Sequence, residues 1–354
     1  MKIFTTILAI FLITAGLYAR VSIPLNHPGI SYDGIWFARV SAERVVLNRH
    51  TEDVLINPGS GISAGSKPYA YTQSGVRIRF RTSSPTVRVS FEENPAGGRV
   101  GLKNGFAVYA AGRRIAVHDS LSFIIASPEK NISIEYEVLL PSMHSVDFTG
   151  MSLDDGYDLD PVLPLNKPVY AAIGNSITHG NGQQSASYLT FPYILSQLMG
   201  WDLHNLAVGG AHTGWSVAQL LKNRRVDYIT VEFGFNDWMW DTKSLEEKAA
   251  TYNKLLDTLR AYLKTASIFC ITPPTTTYTV AKLAVPFTLE QYREMVRNTV
   301  EQRRKNGDMH LYVINGDAIT DSTMLKDGVH LNIEGADKFA HSLRREIIKM
   351  TGKK

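Results

Sequence analysis

The chain has 354 residues, 44% of them hydrophobic and 20% charged, with a formal net charge of +4. That length is long for one domain and comfortable for two, and the composition is ordinary for a globular protein. The small positive charge comes with no Lys/Arg block interleaved with aromatics, which excludes the usual nucleic-acid-binding pattern.

The chain opens as a secretory signal peptide does. Lys2 is followed by an apolar run over residues 3–17 and then by Tyr18-Ala19, which predicts a signal at 1–19, cleavage after Ala19 and a secreted or periplasmic protein. The run is short for a membrane span and no later segment is apolar enough, so stable membrane insertion is not expected. The only cysteine, Cys270, lies in the apolar run Ser267-Ile-Phe-Cys-Ile-Thr272. It is expected to pack in a buried strand, with no intrachain disulfide.

Residues 20–160 read as β. Val76-Arg-Ile-Arg-Phe80 and Val87-Arg-Val-Ser-Phe91 alternate apolar with polar, as half-buried strands do. Residues 106–109, 114–117 and 132–138 continue the pattern, and Asn57-Pro-Gly59, Pro95-Ala-Gly-Gly98 and Asn104-Gly105 supply turns. Many short strands without a helical period predict a β-sandwich of the jelly-roll kind. Trp36, Phe37, Tyr69 and Tyr71 are candidates for a sugar-binding platform or for packing. Asp154-Asp-Gly-Tyr-Asp-Leu-Asp160 and Pro161-Val-Leu-Pro164 then break both periods and read as a hinge.

Residues 161–354 alternate strand with helix. Strands are expected at 169–173, 202–206, 227–233, 267–272 and 311–315, and helices at 188–199, 245–264, 289–305 and 336–350. Such alternation implies a parallel sheet with helices on both faces, whose reactive groups gather at the carboxyl ends of the strands. Four stretches fall there: Gly174-Asn-Ser176, Asn205-Leu-Ala-Val-Gly-Gly210, Gly234-Phe-Asn-Asp237 and Asp327-Gly-Val-His330.

Acyl-transfer chemistry suggests their roles. Ser176 needs an imidazole to take its proton, and His330 is the candidate base. Asp327, three residues earlier, is placed to turn back onto His330 and fix its tautomer. Gly210, Asn236 and the Ser176 N–H are candidate oxyanion donors. His179 and His212 fall near the same rim but lack an acidic residue at the matching spacing. No His/Cys/Asp group has metal-ligand spacing, so neither a metal nor another cofactor is expected. Trp215, Trp238 and Trp240 follow the second and third stretches, and Trp215 and Trp238 are candidate substrate-binding walls.

The four stretches resemble the blocks of the SGNH (GDSL-like) hydrolases, over roughly residues 168–350. The resemblance implies a flavodoxin-like, three-layer catalytic domain with Ser176, Gly210, Asn236 and His330 in the four named roles and Asp327 as the third triad member. One departure stands out: the family's usual aspartate before the serine is Asn175 here. The order of a secreted β-domain followed by this domain is similar to the two-domain carbohydrate esterases of the second carbohydrate-esterase family, and Gly156-Tyr-Asp-Leu159 at the junction is similar to the SGNH proteins that carry a Gly-x-Asp-Leu segment there. That implies removal of acetyl groups from an acetylated oligo- or polysaccharide. A lipid or other short-chain acyl esterase or thioesterase, and a non-catalytic carbohydrate-binding protein, are the alternatives.

Overall fold

The computed structural model describes residues 19–352. The signal-peptide reading thus lies, but for Ala19, outside the described residues.

The first half is built from two antiparallel sheets. One runs β3 (Phe37–Val40), β4 (Val45–Asn48), β11 (Val146–Asp154), β6 (Thr86–Glu93) and β9 (Ser122–Ala126), with β1 (Arg20–Ile23) also paired to β11. The other runs β2 (Ile30–Asp33), β5 (Arg77–Thr82), β10 (Ile134–Leu139), β7 (Phe106–Ala110) and β8 (Arg113–His118). β6 has the period of a one-sided strand: Val87, Val89 and Phe91 are buried while Arg88 and Glu92 are exposed. Phe91 of the first sheet meets Phe106 of the second at 4.6 Å between ring centroids, so the two sheets share one apolar core.

β5 differs from the expected half-buried strand. Arg77 and Arg79, on its polar face, are buried. The second half of the chain covers that face: Arg77 pairs with Asp202, and Arg79 binds Asp33 at 2.6 Å, Glu135 at 2.9 Å and the Leu163 carbonyl. The break expected from residue 154 begins one residue later, because β11 runs through Asp154, whose carboxylate accepts from Thr86 N–H at 2.8 Å and Arg20 at 3.1 Å.

The second half holds a parallel five-stranded sheet in the order β13 (Asp202–Asn205), β12 (Val169–Gly174), β14 (Tyr228–Glu232), β15 (Ser267–Ile271), β16 (Leu311–Ile314). This is the flavodoxin-like order, with its switch point between the first and third strands. α3 (Phe191–Met199) packs on α7 (Ile333–Thr351), and α5 (Leu245–Tyr262) on α6 (Leu289–Lys305), as two separate helix pairs. Each of the five strands falls within one residue of its expected bounds at either end, because strands covered on both faces read as apolar runs. α6 matches its expected bounds because Thr288 and Gln291 form a capping box. α3 begins three residues late, at Phe191, after a 3-10 turn over Ser187–Leu189, with Pro192 in its first turn. α7 begins three residues early, capped by Asn332 on the Gly335 N–H at 2.7 Å. Gly335 is needed for close approach: a Cβ there would lie 2.1 Å from the Met324 carbonyl oxygen.

The core of this half also takes in Val54, Leu55, Ala70, Ala107 and Leu139 from the first half. The two halves are thus joined by buried apolar surface as well as by chain connectivity.

Candidate active site

β12 is buried from Tyr170 to its end at Gly174, and the chain turns at once into α2 (Ser176–His179). A Cβ on Gly174 would lie 2.6 Å from the Glu232 carbonyl oxygen, so only glycine lets the strand end this close to β14. Asn175 caps the turn by accepting the Ile177 N–H at 2.8 Å. Ser176 is left at the carboxyl edge of the sheet, 8% exposed.

His330 comes from the loop between β16 and α7. Its Nε2 lies 2.9 Å from Ser176 Oγ, and its Nδ1 lies 2.8 Å from Asp327 Oδ2. Asp327 also accepts the backbone N–H groups of Val329 and His330 through Oδ1, which folds the loop back on itself. Burial pushes the Asp327 carboxyl up, but these donors and the imidazole outweigh it and hold it below its ordinary range. A charged Asp327 draws the proton to Nδ1. Nε2 is then the free acceptor facing Ser176, with the Asn181 amide 3.2 Å away as a second donor to it.

The loops after β13 and β14 complete the edge. Gly210 has φ +80°, open to glycine, and a Cβ there would lie 2.4 Å from Ser66 Oγ. Asn236 lies in α4 (Phe235–Met239) and donates one amide hydrogen to the Ala211 carbonyl at 2.9 Å, which leaves the other free. Asp237 accepts from Thr213 N–H and hydroxyl within 3.1 Å, so the third stretch clamps the loop that follows the second. Ser176, Gly210, Asn236, Asp327 and His330 all line one cleft of about 450 Å³, with Tyr69, Val100 and Met143 of the first half forming part of its wall.

The other two histidines have other work. His179 is buried; Gly209 donates its N–H to Nδ1 at 3.0 Å, so Nε2 carries the proton and donates to the Ser142 carbonyl at 2.8 Å. Burial, then the neighbouring Arg49 guanidinium, holds its pKa well below the ordinary histidine value. A neutral His179 with both nitrogens engaged serves to hold the Gly209–Gly210 turn. His212 faces a different cavity, where it lies 3.8 Å from Asp241. His212, Asp237 and Asp241 bring one ligand atom each within 4.8 Å, but Lys248 Nζ bridges the two carboxylates at 2.7 and 2.6 Å. An ammonium already supplies the positive charge a cation would bring there.

The tryptophans distribute differently from expectation. Trp215 stacks under Lys254 at 3.8 Å and lines the His212 cavity; Trp238, 5% exposed, lines a third cavity. Neither reaches the Ser176 cleft, because Trp215 is pinned against Gly59 and Trp238 packs inward from α4. Trp240, 51% exposed, is the one that lines the cleft. Nor do Trp36, Phe37, Tyr69 and Tyr71 form one platform: Trp36 stacks on His204 at 4.0 Å, Tyr71 donates to Glu52 at 2.5 Å, and Tyr69 alone lines the cleft. Val100 and Met143 carry no sequence signal, since only the docking of the two halves brings them in beside Tyr69. Asn181 did carry one, lying in the same Gly-rich loop as Ser176.

Residues 172–338 match the model of the GDSL-like Lipase/Acylhydrolase family. Over these residues the α/β half of the chain is similar to this family. The GDSL-like half and the β half together are similar in fold to a salicylyl-acyltransferase, SsfX3, from a tetracycline biosynthetic pathway, at 21% identity over 94% of this chain and 97% of that one, with a TM-score of 0.79. A family two carbohydrate esterase from Clostridium thermocellum in complex with cellohexaose aligns at 17% identity over 80% of this chain and 94% of that one, TM-score 0.63. An acetyl xylan esterase, Est2A, from the rumen bacterium Butyrivibrio proteoclasticus aligns at 12% identity over 95% and 99%, TM-score 0.64. No curated protein matches the chain. The GDSL-like match supports an ester-cleaving hydrolase; the structural likenesses, at these identities, establish the fold.

Proposed function

We propose that this protein is a secreted serine esterase that removes acetyl groups from carbohydrate hydroxyls through an acyl-enzyme intermediate. The observation that carries the reading is the unbroken relay Asp327–His330–Ser176, at 2.8 and 2.9 Å, opening on a cleft that also presents Gly210 and Asn236. Ser176 Oγ attacks the ester carbonyl carbon while His330 Nε2 takes its proton. The N–H groups of Ser176 and Gly210 and the free Asn236 amide hydrogen receive the oxyanion. Collapse breaks the bond to the sugar oxygen, which leaves with the proton from His330. A water then gives its proton to His330 and attacks the acetyl carbonyl; collapse breaks the bond to Ser176 Oγ, which takes the proton back from His330 as acetate leaves. Trp240, Tyr69 and Tyr278 offer aromatic faces at the mouth for the sugar ring.

The carbohydrate assignment is supported by the shared fold with carbohydrate esterases. Secretion is supported by the sequence of residues 1–19, and among the described residues no helix is long and apolar enough to cross a membrane. We read the first half as a jelly-roll sandwich ending near residue 160, with the catalytic domain at 161–354. The decisive experiment is acetate release from a panel of acetylated sugars and polysaccharides by mature protein and its Ser176→Ala variant. Release that vanishes in the variant is expected; release that survives it overturns the mechanism.

A second reading draws on the cleft's apolar lining, which includes Val100, Met143, Met239 and Val329. These residues favour an acyl group bulkier than acetyl. Rising kcat/KM along a series of p-nitrophenyl esters from acetate to octanoate would select it.

A further inference from the structure

Glu232 ends β14 directly behind the nucleophile turn, fully buried. Thr178 Oγ1 donates to its Oε2 at 2.9 Å and the Asn175 amide Nδ2 lies 3.3 Å from its Oε1. No cation among the described residues pairs with this carboxylate, and Asp237 is the other charge acting on it. A buried carboxylate without a counter-charge is costly and persists only where hydrogen bonds are matched to it.

Asn175 is matched to it. Its Oδ1 is committed to the Ile177 N–H at 2.8 Å, so its amide can point only one way, with the NH2 toward Glu232. An aspartate at 175 would keep the cap on Ile177 but set a second carboxylate against the first, where one of the two must hold a proton. From this geometry we infer that Asn175 and Glu232 are a matched amide–carboxylate pair whose joint role is to position the Ser176 turn. Asn175 holds the turn from within, and Glu232 holds Asn175 and Thr178, the residues that flank Ser176 and Ile177. Both are positioning residues, since neither lines the cleft. The inference rests on Ser176 being the nucleophile.

The pairing has a reciprocal test. Asn175→Asp alone opposes two carboxylates. Glu232→Gln alone keeps an oxygen for Asn175 or Thr178 and is mild. The double variant restores the match with the charge moved across. The carboxylate now at position 175 accepts the Ile177 N–H on one oxygen and the amide now at position 232 on the other, while the oxygen of that amide accepts from Thr178. The measurement is the rate of Ser176 labelling by a fluorophosphonate probe, kcat and KM on a short acetyl ester, and the thermal midpoint, for the wild type and all three variants of the full chain. Asn175→Asp is expected to lower kcat and the labelling rate about tenfold or more with KM unchanged, a coupling typical of groups in direct contact. Glu232→Gln and the double variant are expected within about threefold of wild type. A wild-type rate in Asn175→Asp, or a double variant no faster than Asn175→Asp, overturns the inference. A wild type that the probe does not label strikes the serine-esterase reading instead. The melting cycle then decides on the pair alone: recovery in the double variant supports it, and additive losses overturn it.

Discussion

At the residue scale, catalysis turns on which nitrogen of His330 holds the proton. Asp327 fixes that choice through the 2.8 Å contact to Nδ1. Asp327→Asn would present an amide donor or a weaker acceptor to Nδ1, and a donor there forces the proton to Nε2, where the imidazole no longer accepts from Ser176. Asp327→Asn is therefore expected to cost about 10²- to 10⁴-fold in kcat, with KM little changed. Steady-state kinetics on a short acetyl ester would check it; full activity would mean that Ser176 and His330 work as a dyad. Glu232 makes a separate prediction about stability. Burial, with a contribution from Asp237, outweighs the Thr178 and Asn175 hydrogen bonds and raises its pKa from 4.5 to about 7. Between those values the folded protein holds a proton that the unfolded chain has released, so stability falls as pH rises through the window. The full loss, about 3 kcal/mol at most, is present above it. Urea unfolding of wild type and Glu232→Gln at pH 5 and pH 8 should show the variant gaining on wild type at the higher pH. A difference that does not change with pH would mean that Glu232 is already charged at pH 5.

At the scale of elements, the site is made where two loops meet. Gly182, at φ +102°, is the contact point: a Cβ there would lie 2.3 Å from the Leu331 carbonyl oxygen and 3.4 Å from His330 Cβ. Gln183 donates its amide to the same carbonyl, and Asn181 reaches His330 Nε2. Gly182→Ala should push the His330 loop from the Ser176 turn. The expected result is a kcat reduced about tenfold or more, with about 1–3 kcal/mol lost in stability for the strained backbone. Equal kcat in Gly182→Ala would show that the loop gives way freely. Much of this arrangement was legible in the sequence, because glycines and polar residues after apolar runs mark the carboxyl edge of a parallel sheet. The four reactive stretches lie at that edge, and the strands match to within a residue. The first half was less legible. β11 carries a register shift between Phe148 and Gly150, which breaks its alternation. Arg77 and Arg79 read as solvent-facing because what covers them lies more than eighty residues further along or in another strand. Glu232 was visible as a lone charge in the run Ile229-Thr-Val-Glu-Phe233, a pattern that asks for a buried partner.

At the scale of the molecule, a buried cation of the first half ties it to the catalytic edge. Arg49, 1% exposed, follows β4 and has no carboxylate partner among the described residues. Its guanidinium donates instead to backbone carbonyls: Thr72 at 2.6 Å and Tyr69 at 2.9 Å in its own half, Asn205 at 2.7 Å and Ala207 at 2.8 Å in the loop that leads to Gly210. Burial lowers its pKa to about 9, which leaves it charged at neutral pH. It also lies 3.4 Å from His179, whose Nδ1 holds the Gly209 N–H. One buried cation thus ties Tyr69, which walls the cleft, to the turn that presents Gly210. Arg49→Met keeps the bulk of the stem but orphans the Thr72, Asn205 and Ala207 carbonyls, each costing about 1–3 kcal/mol if left dry, while the Tyr69 carbonyl keeps the Thr72 hydroxyl. The expected outcome is a large fall in thermal midpoint together with a loss of kcat that exceeds any change in KM, because the oxyanion donor moves while the cleft wall remains. Arg49→Lys should recover part of the stability, since an ammonium can serve some of the carbonyls, and little of the kcat, since it cannot span both loops at once. Calorimetry and steady-state kinetics on the two variants would separate these effects. If Arg49→Lys regained activity and stability in step, Arg49 would be acting as a buried charge and nothing more.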